Sequence, residues 1–183
     1  MSAEGHQIKL ILELLEAFEK STTGDLPKEI ADCIREHGII AVGASFAPIP
    51  GAATIGNAAN VWAMYARINS KIGVEFSTNI LKSVASGIIA NLSAYAVGLT
   101  IGEGLKFLPG VGTLVGAAID AAILYALTVT SAYIYIKALT AMAKKKLTSE
   151  DALGAEVERV LNEDKEEIKA IMKEAKKSYK NNN

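Results

Sequence analysis

Residues 113–136 read TLVGAAIDAAILYALTVTSAYIYI, a run of 24 residues with a single charge, Asp120. Two further runs, residues 38–66 and 83–102, contain no charged residue. Residues 38–136 hold only seven of the chain's 39 charged residues (19 basic and 20 acidic), and the two flanks hold the other 32. A helix of about 20 apolar residues can cross a bilayer. The sequence therefore predicts a hydrophobic block between two charged flanks.

Apolar residues recur along the chain at helical spacing, and no stretch alternates with the two-residue period of a strand. We therefore expect an all-α fold with three regions: amphipathic N-terminal helices in 1–37, a hydrophobic helical-hairpin domain in 38–140, and a charged amphipathic helix and tail in 141–183. Proline and glycine restrict the backbone and interrupt helices, which predicts two hinges inside the hydrophobic domain. The hinge residues are Pro48, Pro50, Gly51, Pro109 and Gly110.

Helix boundaries follow from capping signals. We expect an amphipathic helix over 8–20, a short helix that begins near Asp25 and ends at Gly38, and apolar helices over 39–46 and 52–72. The segment 148–151 is typical of a helix start, and one last helix follows it with Asp164 interrupting its apolar stripe.

The two proline-glycine breaks lie 59 residues apart, and their surroundings match at that offset. Gly43 corresponds to Gly102, and Thr54 corresponds to Thr113. A duplication would produce two related hairpins, each an apolar helix, a proline-glycine turn and a longer apolar helix. Chance similarity between two glycine- and alanine-rich runs is the alternative.

Small residues recur every four positions in the hydrophobic block, which places them on one helix face. Such a face lets two helix backbones approach closely, as helices do in membranes, although tight packing in a soluble protein gives the same pattern. The candidate helix-packing residues are Ser86, Ala90, Ala94, Gly98, Gly102, Gly112 and Gly116.

The membrane interpretation competes with a buried soluble core. The cluster 144–146, three lysines, closes the apolar block and favours a cytoplasmic flank. Against insertion, Asp120 would cost about 2.5–3.5 kcal/mol at a bilayer centre, and polar residues such as Asn57 and Asn91 are frequent. The first 20 residues lack the pattern of a secretory signal, so we expect the termini in the cytoplasm and the hydrophobic block at the cytoplasmic membrane, or the whole chain in the cytoplasm if it is soluble.

Three short motifs stand out: Pro48-Ile49-Pro50-Gly51, Met64-x-x-Arg67-Ile68 with Gly73-Val74 after it, and Leu108-Pro109-Gly110-Val111-Gly112-Thr113-x-x-Gly116. They resemble a bacterial family, the domain of unknown function of YcjF-type inner-membrane proteins, which also occurs behind Era-like GTPase domains. The resemblance covers about 38–140. It implies a helical, membrane-linked domain that sometimes serves a GTPase, and it carries over no catalytic residue. This chain has no phosphate-binding loop of the GxxxxGK[ST] type, so we expect any GTPase to be a separate partner.

The sequence offers little for catalysis. It has one cysteine, Cys33, and two histidines, His6 and His37, and no nucleophile–base or metal-ligand spacing is evident. We expect no catalytic, cofactor-binding or metal site. Asp120 is the one candidate functional polar residue, either an ion or proton site or a structural anion near a helix N-terminus. The C-terminal lysines alternate with glutamates, which argues against nucleic-acid binding but allows weak contact with anionic lipid.

These features favour a non-enzymatic, membrane-associated helical protein that acts as an anchor, scaffold or membrane remodeller. Its expected partners are the lipid bilayer, further copies of itself and a GTPase. Two alternatives stay open. The chain could form a soluble oligomeric bundle that conceals its hydrophobic hairpins, as stored pore-forming proteins do, or a small channel that uses Asp120.

Overall fold

A computed structural model describes residues 27–44, 52–102 and 121–182. The predicted all-α class is confirmed for this part of the chain, which contains helices and no strand. The helices are α1 (Lys28–Ala44), α2 (Ala52–Ile72), α3 (Thr78–Gly102), α4 (Ala121–Lys145), α5 (Glu150–Glu163) and α6 (Lys165–Asn182).

Helix α4 lies at the centre of the bundle and contacts all five other helices. Eighteen of its 25 residues are buried, which leaves it without a solvent-facing stripe. The neighbouring helices are amphipathic, and each turns its apolar stripe inward. In α3, for example, Val84, Ile88 and Leu92 are buried, while the charged Lys82 is exposed. The core is therefore built around one apolar helix.

Helices α1 and α2 run in opposite directions. Lys71 in the last turn of α2 donates to Glu29 in the first turn of α1 at 3.0 Å, and Arg67 donates to Glu36 at 2.8 Å. A tight turn after α2 reverses the chain into α3. Gly73 has φ of 70° in this turn, a backbone conformation that glycine adopts without steric cost.

Helix α4 runs in the same direction as α2. The hydroxyl of Thr128 donates to Asn57 at 3.0 Å, and further along both helices the hydroxyl of Tyr135 donates to Asn69 at 2.8 Å. Because the residue numbers rise together along both helices, the N-termini of α2 and α4 lie at the same end of the bundle.

Helix α6 runs against α4. Lys137 bonds to Glu167 near the start of α6, and the rings of Tyr125 and Tyr179 lie 5.2 Å apart near its end. The C-termini of α1, α3 and α6 and the N-termini of α2 and α4 therefore meet at one end of the bundle.

Several predicted boundaries are confirmed. The apolar helix expected over 52–72 is α2. The helix start expected at 148–151 is the start of α5, where the hydroxyl of Ser149 accepts a hydrogen bond from the amide of Ala152 at 3.2 Å. This is an N-cap, and it satisfies a backbone donor that the first helical turn leaves free.

The prediction that a helix ends at Gly38 is wrong, because α1 continues through this residue to Ala44. Gly38 faces the ring of Tyr125 on α4 so closely that an added Cβ would lie 2.7 Å from two ring carbons. The glycine therefore provides a close approach between two helices, and tertiary packing outweighs its low helix propensity.

The prediction of one last helix is also wrong. The chain breaks at Asp164, between α5 and α6. The backbone N–H of Asp164 still bonds to the carbonyl of Val160 at 3.0 Å, while its carboxylate lies 3.4 Å from the ammonium of Lys137 on α4. The break redirects the chain so that α6 lies along the central helix.

Some predictions fall on residues outside the described ranges. They concern the amphipathic segment 8–20, the two hinges, and three residues of the second hairpin. The residues concerned are Pro48, Pro50, Gly51, Pro109, Gly110, Gly112, Gly116 and Asp120.

The contact at Gly38 gives a test with an internal control. Gly38→Ala should lower the free energy of unfolding by about 1 kcal/mol, because overpacking against Tyr125 outweighs the helix propensity of alanine. Gly87→Ala, in an exposed part of α3 with no atom within 4 Å of the added Cβ, should raise it by about 0.5–1 kcal/mol. Urea unfolding of the two variants measures both changes, and stabilisation by Gly38→Ala would contradict the packing.

Candidate functional site

The helix ends that meet at one end of the bundle carry almost no charge. Four segments there lack any charged residue: 38–44 of α1, 52–66 of α2, 83–102 of α3 and 121–136 of α4. We call this region the uncharged end. Among the described residues, the C-terminal half of α6 brings charges to it. The uncharged segments of the sequence therefore lie together in the folded chain.

The opposite end, which we call the charged end, has the reverse character. It holds the ion pair between Glu29 and Lys71, the three lysines at 144–146, and the acidic first turn of α5. Glu150 in that turn accepts hydrogen bonds from the backbone and the hydroxyl of Ser77 at 2.6 and 3.1 Å. The bundle is therefore polarised along its axis.

Two large apolar side chains are exposed at the uncharged end. Ile39 is 58% exposed and Ile40 is 53% exposed, on the outer face of α1 beyond its last charged residue. Gly43, one turn further, is exposed as well. Single exposed apolar residues are normal, whereas apolar patches on a surface mark interaction sites more often. We call Ile39 and Ile40 the isoleucine pair.

A seam of polar contacts joins α2 to α4. Besides the bonds from Thr128 and Tyr135 to asparagines of α2, the hydroxyl of Tyr65 donates to the carbonyl of Ser131 at 3.1 Å. The rings of Tyr65 and Tyr135 stack with their centroids 3.9 Å apart. Asn57, a polar residue that counts against membrane insertion, thus has a hydrogen-bond partner inside the bundle.

Ion pairs attach the C-terminal half of α4 to the charged helices around it. Lys137 bonds to Glu167 of α6 and to the hydroxyl of Tyr133, the latter at 3.0 Å. Lys145 bonds to Glu156 of α5, whose side chain is only 7% exposed. These contacts hold the outer helices in register with the centre, and we call the bonds made by Lys137 and Lys145 the lysine clasps.

Glu156 accepts hydrogen bonds from two basic side chains. Arg159 donates to it at 2.8 Å, and Lys145 donates to its other oxygen. The hydrogen bonds from Arg159 and then from Lys145 hold the pKa of Glu156 below its ordinary value, because they stabilise the ionised carboxylate.

The predicted ladder of small residues divides in the structure. Ser86, Ala90 and Ala94 lie on the exposed face of α3, and Gly98 and Gly102 continue along the same helix. The buried face of α3 uses larger side chains instead, among them Ile88 and Leu92. Packing of this ladder against another helix stays a prediction.

The surroundings of Cys33 favour a structural role over a catalytic one. Cys33 is buried, and this burial raises the pKa of its thiol, which favours the protonated form over the reactive thiolate. No group of three potential metal ligands occurs in the described ranges.

His37 is buried between α1 and α2. Its Nδ1 lies 2.7 Å from the side-chain oxygen of Asn60, and a guanidinium nitrogen of Arg67 lies 3.3 Å from its Nε2. Because a guanidinium can only donate, Nε2 accepts and the ring hydrogen lies on Nδ1. The histidine therefore ties two helices together, and no sequence signal pointed to Asn60 as its partner.

Comparisons with protein-family models, with curated proteins and with solved structures give no match for this chain. The uncharged end is the feature that most distinguishes the described part of the chain.

The polar seam predicts non-additive effects of mutation. Tyr135→Phe should lower the free energy of unfolding by about 1–3 kcal/mol, because it leaves the buried amide of Asn69 without its hydrogen bond. The double variant Asn69→Leu/Tyr135→Phe should lose less than Tyr135→Phe alone, since the unpaired amide is then gone. Additive losses in urea unfolding would argue against the seam.

The clasp on α5 predicts a pH-dependent stability. Because the folded-state pKa of Glu156 is lowered, its contribution is present above the unfolded-state pKa of about 4.5 and disappears as the pH falls through the lowered pKa. Glu156→Gln should cost about 1 kcal/mol at pH 7 and progressively less in acid. Urea unfolding across this pH range measures the difference, with the exposed Glu158→Gln as a control that should change little. A cost that persists in acid would contradict the role of the ionised carboxylate.

Proposed function

We propose that this chain is a non-enzymatic protein that attaches to a bilayer through its uncharged end while the bundle stays folded, and that it serves as an anchor or scaffold. The observation that carries the proposal is the collection of four uncharged helix segments at one end, with the isoleucine pair exposed there. An apolar surface of this kind gains free energy when it leaves water for the membrane interface.

Attachment by the end of the bundle fits the burial of α4 better than spanning by α4 does. Among the described helices, α4 alone is long and apolar enough to cross a membrane, and 89% of its most apolar window is covered by the rest of the chain. To span a bilayer, α4 would have to lose the polar seam and the lysine clasps. Attachment through the uncharged end keeps both.

The finer architecture belongs to the same proposal. Helices α1 and α2 form one antiparallel pair, and α3 and α4 run in opposite directions as a second pair. In both pairs the C-terminus of the first helix and the N-terminus of the second lie at the uncharged end. This arrangement supports a pseudo-repeat of two hairpins with hinges at the proline-glycine motifs.

Two further partners belong to the same proposal. The exposed ladder of Ser86, Ala90 and Ala94 supports contact with a second copy of the chain. The resemblance to YcjF-type domains supports a GTPase as a partner. A membrane-remodelling role, or a channel that uses Asp120, would require the chain to insert more deeply.

The burial of α4 also favours a second candidate, a stored form that inserts its hydrophobic hairpin on a trigger. A helix with membrane-spanning length inside a shell of amphipathic helices is what such a store requires. In that case loosening α5 with Glu156→Gln should increase membrane binding, whereas attachment by the folded bundle predicts no increase.

Vesicle co-sedimentation tests the main proposal. Ile39→Gln/Ile40→Gln should weaken vesicle binding at least tenfold, because burying an isoleucine in an apolar phase is worth roughly 1.5–3 kcal/mol. Thermal unfolding should change little, because both side chains are exposed.

The matched control is Leu147→Gln. Leu147 is 41% exposed and lies just beyond α4 at the charged end. It should leave vesicle binding unchanged. Equal loss in the control, or full binding by the isoleucine variant, would refute attachment through the uncharged end.

A further inference from the structure

We infer that the uncharged end recognises anionic lipid headgroups, with Lys173 and Lys177 of α6 as the contacting residues. This inference rests on the proposed function, since it assigns a lipid class to the same surface. Residues 173–180 contain four lysines and one glutamate, a net charge of +3. The charge that α6 brings to the uncharged end is therefore mainly positive.

The path of α6 brings these lysines toward the uncharged end. Helix α6 begins next to Lys137, in the middle of α4, and reaches Tyr125 near the start of α4 through the ring of Tyr179. At about 1.5 Å per residue, Lys177 lies roughly 3 Å along the axis from Tyr179. Lys173 and Lys177 are four residues apart, so they point to the same side of the helix.

These two lysines are available for a ligand. Both are exposed, and within the described part of the chain neither forms an ion pair. By contrast, Lys137, Lys145 and Lys169 are each bonded to a glutamate. The side chains of Lys173 and Lys177 can therefore reach headgroup phosphates without breaking an internal contact.

The charged end offers a competing surface that is less suitable. Lys144 and Lys146 are exposed there beside the exposed Leu147, so this surface also combines basic and apolar groups. However, the exposed carboxylates of Glu150 and Asp151 follow directly in the first turn of α5. They would repel an anionic membrane, whereas Glu174 is the one exposed carboxylate within residues 168–179 of α6.

The test compares vesicles of phosphatidylcholine alone with vesicles that also contain phosphatidylglycerol. The unmodified chain should bind the anionic vesicles more tightly, and added salt should reduce the preference. Each lysine near an anionic surface contributes about a fivefold gain in binding, so Lys173→Gln/Lys177→Gln should lower binding to anionic vesicles about 25-fold. Binding of this variant to neutral vesicles should not change.

Lys144→Gln/Lys146→Gln is the matched control, because it removes two exposed lysines at the other end. It should retain the preference for anionic vesicles. A preference that disappears in this control, or equal binding of the unmodified chain to both vesicle types, would overturn the inference and leave membrane attachment intact. A chain that binds neither vesicle type would overturn the proposed function together with the inference.

Discussion

The burial of α4 is the constraint on which the rest of the structure depends. Up to Ile136 this helix is apolar or weakly polar on every side, so that it has no face to offer water and other helices must cover it. The five other described helices do so, and each of them contacts α4. The hydroxyls of α4 impose a second requirement, because buried polar atoms need partners, and α2 supplies several through the seam.

This constraint also separates the charges in space. Charged side chains lie on the outward faces of the bundle and in the C-terminal half of α4. There Lys137 and Lys145 bond to glutamates of α6 and α5, and these bonds hold the two charged helices against that half. The other half contacts Gly38 of α1 and Asn57 of α2, which both lie in uncharged segments. The axial polarity that underlies the proposed attachment is therefore a consequence of how the central helix is enclosed.

The sequence predicts the local features of the fold better than its long-range ones. Helical periodicity defines α2, and a serine followed by acidic residues defines the start of α5, because both signals lie within a few residues. The role of Gly38 depends on its contact with Tyr125, which is distant in sequence. Asp164, where the chain breaks between α5 and α6, pairs with the equally distant Lys137. The uncharged end could not be predicted from the sequence, because it depends on the relative directions of the helices. These directions follow from contacts such as that between Asn69 and Tyr135, which no local pattern connects.

Hydrogen exchange with and without anionic vesicles tests the central claim most directly, because it reports on every helix of the unmodified chain. If the folded bundle attaches through its uncharged end, amides at 38–44 should gain protection while α5 and α6 exchange no faster than in solution. Faster exchange in α5 and α6 on vesicle addition would mean that the shell around α4 opens, and it would contradict attachment by the folded bundle.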